Sequence, residues 1–113
     1  KPDIQATERQ LTTIRTASDY AKTGEEAMQS GNYGLAAEEF KKALSVNPGQ
    51  ARWRASYGKC LYRMERFAEA RDEMAVAERA GAADRELLTM LVDSFTRLGD
   101  PAGASTYRQK LER

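Results

Sequence analysis

The sequence predicts an all-α protein built of stacked helical hairpins, and three observations predict it. The first is a period: Ala36, Ala70 and Ala104 stand 34 residues apart, as do Tyr33, Phe67 and Pro101, and Ala27, Leu61 and Phe95. Self-similarity at a step of this size is the signature of a stacked repeat, in which each unit buries its apolar face on the next. The second is apolar recurrence at helical spacings of 3 and 4 within each repeat, with no period-2 alternation and no Asn-Gly hairpin turn. The third is punctuation by turn residues at Gly31-Asn32, Asn47-Pro48-Gly49, Glu65-Arg66, Gly81 and Gly99-Asp100-Pro101. Turns this short leave consecutive helices antiparallel.

Residues 1–16 are polar, with Ile4, Leu11 and Ile14 at helix-compatible spacing and Asp3 as a cap. They read as a short N-terminal helix, the alternative being a disordered linker. In the helix from Ala17 to Ser30, Tyr20, Ala21, Gly24, Ala27 and Met28 form one stripe. A glycine inside a helix costs about 1 kcal/mol against alanine, so Gly24 implies close approach of a neighbouring helix. The second helix, from about Gly34 to Val46, should turn Leu35, Ala36, Phe40, Ala43 and Leu44 inward and Glu38, Glu39, Lys41 and Lys42 to water. Asn47-Pro48-Gly49 stops it, because Pro cannot donate and disfavours helix in the residue before it.

From Ala51, Trp53, Tyr57, Cys60, Leu61 and Met64 make a broad apolar face. After the Glu65-Arg66 turn, Phe67, Ala70, Met74 and Ala77 point inward on a helix that ends near Gly81. Asp84 is an N-cap for a helix carrying Leu87, Leu88, Leu91, Val92 and Phe95. Asp100-Pro101 then pairs a capping Asp with Pro at the first helical position, and opens a last helix with Ala104, Tyr107 and Leu111 inward.

A chain of 113 residues suits one domain, and a layer of helices of this size has no room for an enzyme cleft beside a cofactor domain. The net charge is +1 with 31% charged residues, which gives no reason to expect nucleic acid or an anionic membrane as partner. Arg outnumbers Lys two to one and Ala is abundant, a composition of GC-rich bacterial genomes. The absence of histidine removes the commonest general base and the commonest metal ligand together. One cysteine, Cys60, excludes an internal disulfide and leaves both secreted and cytosolic locations open. No apolar run approaches the roughly 18 residues needed to cross a bilayer. The chain opens at Lys1 rather than Met, which leaves room for an upstream leader, lipid anchor or flanking domain, so the lack of a signal within it is no argument for the cytoplasm.

The repeat resembles the tetratricopeptide family, whose pattern runs aromatic, Leu-Gly and Tyr in the first helix, a Gly-Asp-Tyr-type turn, then Ala, an aromatic, Ala and Pro. Residues 17–50 supply Tyr20, Gly24, Ala27, Gly31, Tyr33, Ala36, Phe40, Ala43 and Pro48. Residues 51–84 supply Tyr57-Gly58, Leu61, Phe67, Ala70, Met74 and Ala77, and residues 85–113 supply Leu88, Leu91, Phe95, Gly99-Asp100, Ala104 and Leu111. Arg54 replaces an aromatic, Ala82 the closing Pro, Val92 the Gly and Arg108 the last aromatic, so the third repeat departs furthest. The resemblance implies a right-handed α-solenoid of three antiparallel helix-turn-helix units over 17–113, with residues 1–16 as a lead or cap.

It also implies a concave groove, lined by the first helix of each pair, that holds a peptide or subunit segment. The positions it carries over include Lys22, Glu25 and Met28 in the first repeat, Arg52, Ser56, Lys59, Tyr62 and Arg63 in the second, and Met90, Asp93 and Arg97 in the third. Arg52, Ser56, Lys59 and Arg63 fall at i, i+4, i+7 and i+11, one stripe beside Tyr62. Arg presents a fixed fork to carboxylates and Tyr adds rigid contact area, so the expected partner segment is acidic with an apolar anchor; the alternative is an ordinary solvated face. Family members that grip a chaperone's C-terminal carboxylate use Lys, Asn and Arg where Ala21, Glu25, Ser56, Glu86 and Met90 fall here, which argues against that subtype.

No phosphate loop, His-containing triad or metal-ligand motif occurs, so the chain is expected to be no enzyme and to need no cofactor or metal. Cys60 reads as a small buried hydrophobe. The expected function is a non-catalytic protein-interaction module. By size and repeat number the chain looks like the small bacterial tetratricopeptide lipoproteins that assemble pili or secretion complexes, including tight-adherence pili. That context favours the periplasm, tethered to the outer membrane, over the cytoplasm. The alternatives are a cytosolic chaperone for an exported substrate and a targeting domain of a larger enzyme.

Overall fold

The computed structural model describes residues 15–113. They form six helices: α1 (Ala17–Gln29), α2 (Tyr33–Val46), α3 (Ala51–Arg63), α4 (Phe67–Arg79), α5 (Arg85–Arg97) and α6 (Pro101–Leu111), with no strand among the described residues. The short helix expected within residues 1–16 lies outside the described residues but for its last two positions, Arg15 and Thr16, which are not helical.

Four of the helices start on a side-chain cap, which satisfies backbone N–H groups that the helix itself leaves unpaired. Thr16 accepts from Asp19 N while the Asp19 carboxylate accepts from Thr16 N, a reciprocal box on α1. Asn32, Asp84 and Asp100 accept from Leu35 N, Leu87 N and Gly103 N. The three hairpin turns close alike: the N–H groups of Asn32, Arg66 and Asp100 donate to the carbonyls of Ala27, Leu61 and Phe95. These are the long bonds of a Schellman stop, which requires a left-handed residue just before the donor. Gly31 and Gly99 supply it at φ 78° and 75°; at the equivalent place in the second hairpin stands Glu65, at φ 62°.

Each hairpin packs its two helices together, and α2 packs on α3 and α4 on α5 to stack one hairpin on the next. First helices also touch first helices, α1 against α3 and α3 against α5, whereas α2 and α4 do not meet, nor do α4 and α6. A stack whose first helices converge and whose second helices spread is curved, with α1, α3 and α5 on its inner side. The core is two connected clusters. One gathers Ala21, Ala27, Ala36, Phe40, Ala43 and Cys60; the other gathers Leu61, Ala70, Met74, Leu87 and Leu91; Tyr57 packs against both.

Two expectations on α2 are corrected. Leu35 is 39% exposed rather than inward, and Glu39 is buried at 5% rather than solvated, while Ala37 joins the core. Leu35 stands about 140° round the helix from Phe40, off the buried stripe by helix geometry alone; for Glu39 the cause is tertiary. Arg15 lies across this flank of the first hairpin, 3.2 Å from the Glu39 carboxylate, while its other guanidinium nitrogen donates to Thr23 at 2.8 Å and its plane stacks 4.2 Å from the Tyr20 ring centre. Lys42 approaches Glu39 from the other side at 3.8 Å. A charge can be sheltered there because cations are delivered with it.

The third hairpin reverses a packing rule of the first two. Phe40 lies on Gly24 and Met74 on Gly58, so the small residue is on the first helix and the large one on the second. With Val92 and Arg108 at those places, the third hairpin puts the large side chain on α5 and the glycine on α6: the Phe95 ring lies on Gly103 and stacks on Tyr107, centroids 5.4 Å apart.

Candidate functional site

The inner side of the stack carries two hollows, one at each junction between first helices. The hollow between α1 and α3, about 410 Å³, brings together four of the predicted residues, Glu25, Arg52, Ser56 and Lys59, with Asp84. The hollow between α3 and α5, about 420 Å³, brings together three more, Tyr62, Arg63 and Met90, with Arg85, Glu86 and Thr89. Lys22, Met28, Asp93 and Arg97 line neither. Lys22 and Arg97 are exposed, Met28 packs half-buried against the first core cluster, and Asp93 works within the wall of the second hollow.

The basic stripe read along α3 is only partly open. Lys59 is held between Asp84 at 2.8 Å and Glu86 at 3.1 Å, both at the start of α5. Burial alone would pull its ammonium pKa down; the hydrogen bonds it donates to the two carboxylates outweigh that and hold it above its ordinary value. Its charge is therefore already answered within the protein. Arg52 and Arg63 are exposed and have no carboxylate partner among the described residues. Arg54, one step round the helix, is occupied on the far side, donating to Glu73 at 2.7 Å and to the Pro48 carbonyl at 2.9 Å.

Tyr62 is held by contacts at its hydroxyl and at its ring. Its hydroxyl donates to Asp93 at 2.6 Å, and Arg97 donates to the same carboxylate at 2.8 Å. The bond to Tyr62 draws the Asp93 carboxyl below the ordinary carboxylate range and pushes the Tyr62 hydroxyl up. Phe67 meets the Tyr62 ring edge-on at 5.6 Å, and the Arg97 guanidinium covers Phe67 at 4.8 Å. A chain of contacts thus runs from α3 through the start of α4 to α5, and it holds the Tyr62 ring as a rigid wall. Met90 is only 6% exposed, so it forms the floor of the second hollow.

Sequence reasoning missed Arg85 and Asp84 as groove residues. Arg85 precedes the carried-over Glu86 by one position, and Asp84 was legible only as a helix cap. Cys60 is fully buried, and burial pushes its thiol up to about 12, which keeps it protonated and inert. No group of three or more potential metal-ligating side chains occurs among the described residues, and none of their helices is long and apolar enough to cross a membrane. What the inner face offers is shaped polar and apolar contact along two adjoining hollows.

The family model described as Tetratricopeptide repeat matches residues 27–93. Among solved structures, the chain is similar to MamA (AMB-1), with a TM-score of 0.80, 23% identity, and 93% of this chain matched to 58% of that one. It is also similar to a MamA mutant, with a TM-score of 0.78, 22% identity, and 86% matched to 53%. YrrB, a TPR protein with an unusual peptide-binding site, gives a TM-score of 0.77 at 24% identity, with 93% matched to 54%. The chain therefore spans little more than half the length of these structures, and at such identities the likeness is one of fold. No curated protein matches the chain. With more than half its length matched by the repeat's own sequence model, and its hairpins stacked as in these neighbours, the chain belongs to the tetratricopeptide repeat family.

Proposed function

We propose that the protein is a non-catalytic interaction module that takes a segment of another polypeptide along the inner face of α1, α3 and α5. The observation that carries this reading is the convergence of the three first helices, which sets two hollows in line with Arg52 and Arg63 open beside them. The family supports it, and so does a neighbour of the same fold described as having a peptide-binding site. Glu25, Arg52, Ser56 and Lys59 contact the segment at the first junction, and Tyr62, Arg63 and Met90 at the second. Lys22, Met28, Asp93 and Arg97 border or brace that path. The segment is acidic with an apolar anchor, because the unanswered side chains of α3 are arginines and the rigid wall beside them is aromatic.

The setting we propose is assembly of a bacterial pilus or secretion complex, with this domain docking a subunit. Affinity capture with mass spectrometry, run in parallel on the native chain and on a chain with Arg52→Glu and Arg63→Glu, tests the reading. A partner segment that is lost on charge reversal agrees with it. A partner bound equally by both chains overturns the groove assignment, and a partner outside such machinery overturns the setting.

A further inference from the structure

We infer that the hollow between α3 and α5 is an acid-plus-anchor subsite: it seats an aromatic or aliphatic side chain between Tyr62 and Met90 while Arg63 and Arg85 grip a neighbouring carboxylate of the same segment. This deepens the groove reading above and rests on it.

The two hollows differ in chemistry. The one between α1 and α3 sets Arg52 and Lys59 against two carboxylates, Glu25 and Asp84, with Lys59 and Asp84 already paired at 2.8 Å. Its charges balance, so it holds no excess of cations for an acidic side chain. The hollow between α3 and α5 has two arginines against one carboxylate, Glu86, and Lys59 already pairs with that carboxylate at 3.1 Å. Arg63 and Arg85 are both exposed and have no ion-pair partner among the described residues. They approach from different helices, so a carboxylate placed between them meets two guanidinium forks.

The apolar half is built as firmly. Met90 floors the hollow at 6% exposure, and the Tyr62 ring is locked by Asp93 at 2.6 Å and by the Phe67 edge. A preformed wall loses little rotamer freedom on binding. A thioether and an aromatic face together favour an aromatic or branched aliphatic guest. Arg85 is the new element: neither the α3 stripe nor the family's carried-over positions include it.

A peptide-display selection on the native full chain tests this, followed by fluorescence anisotropy of the selected peptides against variants checked for folding by circular dichroism. Arg63 and Arg85 are exposed and unpaired, so Arg63→Glu with Arg85→Glu leaves the fold intact. Selected peptides should place Asp or Glu next to an aromatic or aliphatic residue, weaken about tenfold on the double reversal and change little on Arg79→Glu, a reversal on α4 outside both hollows. Peptides that lack acidic residues, or that ignore the double reversal yet are lost on filling the other hollow with Ser56→Trp, overturn this subsite and leave the groove standing. Peptides insensitive to every one of these substitutions, or no selected peptide at all, overturn both.

Discussion

The Cγ of Met74 lies 2.6 Å from the point that a Cβ on Gly58 would occupy, and the Met74 backbone nitrogen lies 3.2 Å from it. The side chain is met near its root, where it cannot swing aside, so α3 and α4 are in contact through the missing methyl. Gly58→Ala should lower stability by about 1–3 kcal/mol through overpacking, despite a helix-propensity gain of up to about 1 kcal/mol. Gly34, on α2 with nothing within 4 Å of its would-be Cβ, is the control. Gly34→Ala should be neutral or stabilising by up to about 1 kcal/mol. Urea titration of the two variants reads the opposite signs; two equal effects would remove the close-contact argument.

Glu65 holds the left-handed turn position that Gly31 and Gly99 hold in the other hairpins. A non-glycine residue there carries a steric cost of about 1–2 kcal/mol. Glu65→Gly should raise the melting temperature, with a net gain of about 0.5–1 kcal/mol after the extra chain entropy of glycine. No gain in thermal denaturation would mean that the turn is not strained at this residue.

Arg15 and Glu39 form the sheltered pair of the first hairpin, with side-chain exposures of 35% and 7%. Arg15→Ala should cost about 1–3 kcal/mol, less than for a fully buried pair because Arg15 is partly wet and Lys42 remains. Glu39→Gln in the same chain should restore part of that loss. A double-mutant cycle measures the coupling; purely additive effects would show that Arg15 acts by packing alone.

Acid should loosen the junction between the second and third hairpins. The Asp93 carboxyl is held below 3.8 chiefly by the Tyr62 hydroxyl, and the Asp84 carboxyl is held below 3.8 because the bonds from Lys59 and Leu87 N outweigh its burial. A folded-state pKa below the unfolded one means that the unfolded chain takes up protons first as pH falls. The stability these groups add is therefore present above about pH 4 and lost as pH falls through their lower folded values. Lys59→Met with Tyr62→Phe should flatten the acid limb of a stability-against-pH curve. An unchanged limb would place the acid sensitivity elsewhere.

Much of the architecture was legible in the chain itself. The step of 34 residues placed the helices, because side-chain direction in a helix follows from spacing alone and the turn residues act through their own backbone. Thus Gly31, Asp84 and Asp100-Pro101 did in the fold what their chemistry says they should, and Cys60 proved to be core. The groove was legible only as a set of positions. Which of its charges remain open depends on partners that spacing cannot reveal.

What the sequence alone determined, then, was the helical order, the turns and the stripes that face inward. What only tertiary structure decided was how neighbouring helices answer one another. It sheltered Glu39 beneath Arg15, closed Lys59 between Asp84 and Glu86, and exchanged glycine for aromatic across the Phe95–Gly103 contact. The reason is reach. Periodicity is a property of one helix over a few residues, whereas these contacts join groups 8 to 27 positions apart whose meeting depends on how the hairpins pack and stack.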